Sequence, residues 1–214
     1  MKKRCVLPAL SAMAALAVQA EIIDRVAVSV GNSAIAASDL AREIRITSFL
    51  NGVPPDFSPK NRRATADRMV EQKLIRRELE LSHYPVPEPS SADSELDDFR
   101  KMHFQSVSEY QRALSEAGIA EQEVRDELLW QLMLLRFIDV RFRPGVQVSE
   151  QEIKDYFEKT VKPAAQSGHD ITLEDYRDDI EETLAGQRAD LELDKWLKET
   201  RLRTEIVYHE EAFQ

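Results

Sequence analysis

Between Leu128 and Ile138 the chain reads Leu-Leu-Trp-Gln-Leu-Met-Leu-Leu-Arg-Phe-Ile, with Arg136 its only charged residue. At helical pitch these side chains point in nearly every direction, so a single buried stripe cannot accommodate them. A helix of this kind has to be enclosed by other protein, or it has to offer one face to a ligand. Its ends are marked. Glu121 opens it, and Pro144-Gly145 stops it shortly after Phe142.

The surrounding sequence supplies further helices. Ser38 is expected to cap a helix carrying Leu40, Ile44, Thr47, Phe49 and Leu50 before Asn51-Gly52 ends it. Pro54 and Pro55 stiffen the next connection, and Ser58 followed by Pro59 opens a long helix to about Ser82. Its buried face is expected at Ala66, Met69, Val70, Leu74 and Leu81. After Pro85, Pro87 and Pro89, the Ser90-Ser91 pair starts an acidic helix through Leu96, Phe99 and Met102. A shorter helix runs from about Ser108 to Ala117, with Gly118 in the usual place of a left-handed cap. Ser149 with Glu152, and Thr172 with Asp175, are capping signatures for two later helices. The second is long and carries Tyr176, Ile180, Leu184, Leu191, Trp196 and Leu197.

Two stretches read as strands. Val26 to Val30 alternates apolar with small residues, turns at Gly31-Asn32 and continues into a short extended segment around Ile35. Thr204 to Tyr208 is also β-like, and a lone strand needs a partner. Pairing it with Val26 to Val30 would bring the two ends of the chain together. The expected class is therefore mainly α, with a small β element joining residues 26–30 to 204–208.

Residues 1–20 have a different character. Lys2, Lys3 and Arg4 precede an uncharged run from Cys5 to Val18, and Val18-Gln19-Ala20 places small residues where a signal peptidase reads. This predicts export with cleavage after Ala20, a periplasmic location and no stable membrane insertion afterwards, since a spanning helix needs about 20 apolar residues. Cys5, the sole cysteine of the 214 residues, would leave with the signal, excluding disulfides and thiol chemistry from the remainder. Loss of the three cations takes the formal charge from −10 to −13. Nucleic acid is a poor partner for such a surface.

Little in the sequence points to catalysis. His83, His103, His169 and His209 are isolated from one another, and there are no paired cysteines, no glycine-rich phosphate loop and no Gly-x-Ser-x-Gly elbow. A serine triad assembled only in space stays open at this level. His169-Asp170 sits in a polar stretch and reads as solvated loop. The acidic groups Asp93 to Asp98 and Glu174 to Asp179 lack the central glycine of a calcium loop and read as solvated, dipole-complementing helix faces. No cofactor or metal is expected. What remains is an excess of adaptable apolar side chains: Phe99, Met102, Phe104, Tyr110, Trp130, Met133 and Phe137 are the candidate peptide-binding residues. Most of such a set is ordinarily core.

The order of motifs resembles a known family. Ile22 to Asn32 with Ser38-Asp39-Leu40, then Arg68-Met69-Val70-Glu71-Gln72-Lys73-Leu74-Ile75, then Ser108 to Arg125, are similar to successive segments of the SurA family of periplasmic chaperones, which is related to PpiD and trigger factor. Ser149 to Phe157 resembles the helix that leads into a parvulin domain, and Trp196-Leu197 with Ile206-Val207-Tyr208 look like the family's C-terminal elements. The resemblance implies one chaperone module, built from residues 21–165 and completed by 171–214. It implies an ATP-independent holdase for unfolded or nascent envelope polypeptides, such as outer-membrane or secreted clients. One part of the family pattern is missing. Only about a dozen residues separate Val161 from Leu173, where a prolyl isomerase needs a whole small domain. Isomerase activity is therefore not expected. The alternatives are an isomerase-related protein with degenerate activity, or an envelope assembly protein that docks one partner. Exchange of terminal strands between two chains would give a homodimer.

Overall fold

The computed structural model describes residues 24–164 and 171–214. The segment read as a signal, and His169-Asp170, lie outside the described residues. β1 (Val26–Val30) and β2 (Ser33–Ala36) form an antiparallel hairpin. Helices α1 (Ala37–Leu50), α2 (Pro59–Ser82), α3 (Ser91–His103), α4 (Val107–Ala117) and α5 (Glu121–Arg141) follow. After a 3-10 turn at Arg143–Gly145 come α6 (Glu150–Tyr156), a π-helical turn (Phe157–Val161) and α7 (Lys162–Ala164). The 31-residue α8 (Leu173–Arg203), about 46 Å long at 1.5 Å per residue, leads to β3 (Ile206–Tyr208).

β3 lies against β1, giving the sheet order β2-β1-β3. The pairing is antiparallel, with Val28 opposite Tyr208 and Val30 opposite Ile206, as the terminal β-like run predicts. The ladder is extended by Gly31 N–H donating to Glu205 at 2.8 Å and His209 N–H donating to Ala27 at 2.9 Å. A register shift between Val26 and Val28 breaks simple alternation, so Ala27 and Val28 are both fully buried while Val26 is exposed.

Local chemistry explains most helix ends. Ser58 Oγ accepts from the Asn61 amide at 3.3 Å ahead of Pro59, and Glu152 returns to the Ser149 amide at 2.9 Å. Asp175 takes both the amide and the hydroxyl of Thr172, at 3.1 and 2.7 Å. Gly118 ends α4 with φ of 65°. The expected cap at Ser38 is displaced. α1 begins at Ala37, and the Asp39 carboxylate accepts from the Ala36 amide at 3.0 Å, because an acid at the third helical position can satisfy that amide itself. Ser38 donates instead to Asp24.

Three cores hold the described residues together. The largest lies under the sheet and joins Val28, Val30, Ile35, Leu40, Val70, Leu74, Trp130, Phe137, Leu197 and Phe213. Ala66, Val70 and Leu74 of α2 are buried as expected, but Leu81 is 67% exposed; Ile75 and Leu79 take the inward positions. A second core joins Ile46, Leu96, Tyr110, Leu114, Ile119 and Val124 across α1, α3, α4 and α5. The third is small, Ile153 and Phe157 against Ile180 of α8. A polar clasp fastens the C-terminus to α2: Arg201 reaches Asp67 at 3.2 Å, Glu71 at 3.3 Å and the Tyr208 hydroxyl at 2.9 Å. Arg63 lies 3.8 Å over the Tyr208 ring.

Candidate functional site

The seven residues expected to bind peptide do not share one surface. Phe99, Phe104 and Tyr110 belong to the second core, whereas Trp130, Met133 and Phe137 belong to the sheet core. Tyr110, Trp130 and Phe137 are 1%, 2% and 1% exposed, so they are structural in this conformation. Helical spacing is the reason: Trp130, Met133 and Phe137 fall on the stripe of α5 that faces the sheet. Trp130 is further covered by the Arg76 guanidinium at 4.0 Å, and Phe137 meets the edges of Tyr84 and Trp196 at 5.4 and 5.6 Å. Met102 has the opposite fate, standing 78% exposed at the end of α3.

Phe104 leads to an open site. Its ring packs with Phe49, Phe99 and Tyr110 at centroid distances of 5.9, 5.9 and 5.2 Å, nearly parallel to Phe49. The outer side of this aromatic layer forms the floor of a cleft of about 550 Å³. Val53, Pro54 and Pro55 make one wall, Ala113 and Ala117 of α4 the other, and Arg45, Ser48 and Glu116 contribute polar groups. The wall follows from how α1 ends. Asn51 donates to Thr47 at 2.7 Å, Gly52 turns the chain at φ of 64°, and the two prolines cannot resume a helix. Val53 is left 54% exposed. The prolines mark this segment in the sequence as a stiff connection, and its apolar character is carried by Val53-Pro54-Pro55 directly after a helix stop.

A second apolar surface lies on α5. Leu129, Leu132 and Ile138 are half-buried and Leu135 is 60% exposed, and none belongs to the three cores. Leu128 on the same side packs against the second core, so Leu135 is the member of the run left largely open.

Between α1, α2 and α5 sits a half-buried polar cluster. Glu43 accepts from Gln72 at 3.3 Å, and Glu127 accepts from Gln131 at 3.2 Å. Burial raises both carboxyls, and the nearby Glu43 charge adds to it for Glu127, which is pushed up to about 7. Burial also lowers the pKa of Arg76, although Glu127 and Glu43 oppose this. Ser29 and His209 form a hydrogen-bonded pair at 3.2 Å that ties β1 to the C-terminus. Among the described residues no carboxylate bonds to His209, and no group of three or more His, Cys, Asp or Glu side chains is arranged for a metal. None of the described helices is long and apolar enough to cross a membrane.

The sequence matches one curated relative. The "Chaperone SurA" of Pseudomonas fluorescens is 26% identical over 156 residues. This chain is similar to SurA. The aligned region covers 69% of the chain but 34% of the relative, so the match spans about a third of SurA's length. No family model matches the chain. The likeness supports a SurA-like chaperone relationship.

Proposed function

We propose that the protein is an ATP-independent holdase that binds unfolded outer-membrane or secreted polypeptides in the periplasm. The observation that carries this reading is the open cleft floored by Phe49 and Phe104 and walled by Val53, Pro54 and Pro55. An exposed apolar cleft with a few rim charges accepts varied side chains through the non-directional hydrophobic effect, so affinity does not require a fixed client sequence. The similarity to SurA supports the same reading. No catalytic step is assigned. Export through the segment ending at Ala20 is part of the proposal.

The test is dilution of a urea-unfolded outer-membrane protein with and without the chain, followed by light scattering. Stoichiometric protein is expected to suppress aggregation, and Val53→Asp to weaken that suppression several-fold while leaving the melting temperature within about 2 °C, because Val53 is a surface residue. Absence of suppression by the unmodified protein removes the proposal. The exposed Leu135 of α5 favours a second reading, in which it docks one dedicated envelope partner together with the half-buried Leu132. Cross-linking from the periplasmic fraction separates the two: one stoichiometric product supports docking, and a heterogeneous set supports the holdase.

A further inference from the structure

Helix α8 belongs to two bodies. Leu193, Trp196 and Leu197 pack in the sheet core, while Tyr176, Ile180 and Leu184 pack with Ile153 and Phe157 in the small third core. The third core is thus an arm, made of α6, the π-helical turn, α7 and the first half of α8. The chain crosses between body and arm twice, at Arg143–Gly145 and in the middle of α8.

Each crossing contains a glycine that neither backbone nor packing demands. Gly31, Gly52 and Gly118 have positive φ, and Gly145 and Gly186 do not. A Cβ at Gly145 or Gly186 would meet no atom within 4 Å. Glycine inside a helix lowers its stability relative to alanine, so Gly186 weakens α8 where the two cores part. The apolar clusters of body and arm are separate, and polar contacts link them. Arg143 meets Glu182 at 2.6 Å, and Arg188 bonds both Glu152 and the Gln147 carbonyl. Exposed pairs of this kind are weak and salt-sensitive. At the same joint lies a cavity of about 600 Å³ lined by Phe142, Val146, Leu191 and Arg188, with Leu191 66% exposed.

We propose that the arm hinges on the body at Gly145 and Gly186, and that the cavity beside Phe142 and Leu191 widens and narrows as it moves. Two flexible points on adjacent crossings define one axis, so the motion is a swing of a packed unit and leaves both cores intact. The ion pairs of Arg143 and Arg188 are the latches that favour the closed position.

The experiment is a spin-label distance measurement on the full chain carrying Cys5→Ser, with Glu95→Cys on α3 and Lys154→Cys on α6. Both label sites are exposed. A broad or two-peaked distribution is expected. Gly145→Ala with Gly186→Ala is expected to narrow it about twofold without lowering the melting temperature, since both sites have room for a methyl group. In the glycine-containing protein, 1 M NaCl is expected to shift population to the longer distance, because screening at that strength reduces the Debye length to about 3 Å. A single narrow distribution that ignores salt overturns the proposal, as does a broad one unchanged by the alanines. The salt arm decides the question even if the double-alanine chain misfolds.

Discussion

Glu127→Gln should stabilise the protein increasingly as pH rises from about 4.5 to 7, and by a constant amount above that. Glu127 sits on α5 against α1 and α2, where burial and the Glu43 charge push its carboxyl from an ordinary 4.5 up to about 7. The unfolded chain titrates near the ordinary value, so between these two pH values the folded state holds a proton that the unfolded state has lost. Stability from this site is therefore complete below about pH 4.5, declines as pH rises towards 7 and is flat beyond it. At about 1.4 kcal/mol per unit the ceiling is roughly 3 kcal/mol. Part of the carboxylate remains in contact with water, and screening reduces the figure to about 1–2 kcal/mol. Glutamine has nearly the same shape, keeps an acceptor for Gln131 and carries no charge to desolvate. Thermal melts at pH 5 and pH 8 should show the variant within about 1 °C of the parent at the lower pH and roughly 3–6 °C above it at the higher. An equal difference at both pH values would refute the electrostatic reasoning, and so would destabilisation at pH 8, since either leaves packing as the governing effect.

Ending the chain at Thr204 should cost at least about 4 kcal/mol by denaturant melts, because it removes the β3 ladder, the Tyr208 contacts and the buried Phe213 together; a cooperative transition at an unchanged midpoint would show that the sheet closes without its third strand. Phe137→Ala and Met102→Ser should separate core from surface. The first is expected to lose about 3–5 kcal/mol and the second less than about 0.5 kcal/mol, given exposures of 1% and 78%. Comparable losses at the two positions would contradict the placement of Phe137 in the sheet core.

Element positions were legible in the sequence wherever a local rule sets them. Ser58-Pro59, Gly118 and the Ser149/Glu152 box mark helix ends through hydrogen bonds that span three or four residues, and these need no tertiary information. The return of β3 to β1 was also readable, because an isolated strand needs a partner and Val26 to Val30 is the longest other β-like run. Ser38 shows the limit of such rules. Two side chains could satisfy the same helix start, and the choice of Asp39 depends on Asp24 being near enough to engage Ser38. Which apolar residues are open is a harder question, because exposure depends on what the fold brings against each face. Composition singles out Trp130 and Phe137 as adaptable apolar side chains, yet a large apolar side chain is also what a core buries first. The open cleft is walled by smaller residues, Val53, Pro54 and Ala113, and its wall follows from a chain reversal after Gly52. The run from Leu128 to Ile138 poses two outcomes, enclosure or an offered face, and the structure comes close to the first: the aromatic stripe is enclosed, Leu128 and Leu134 pack against cores, and Leu135 is left exposed.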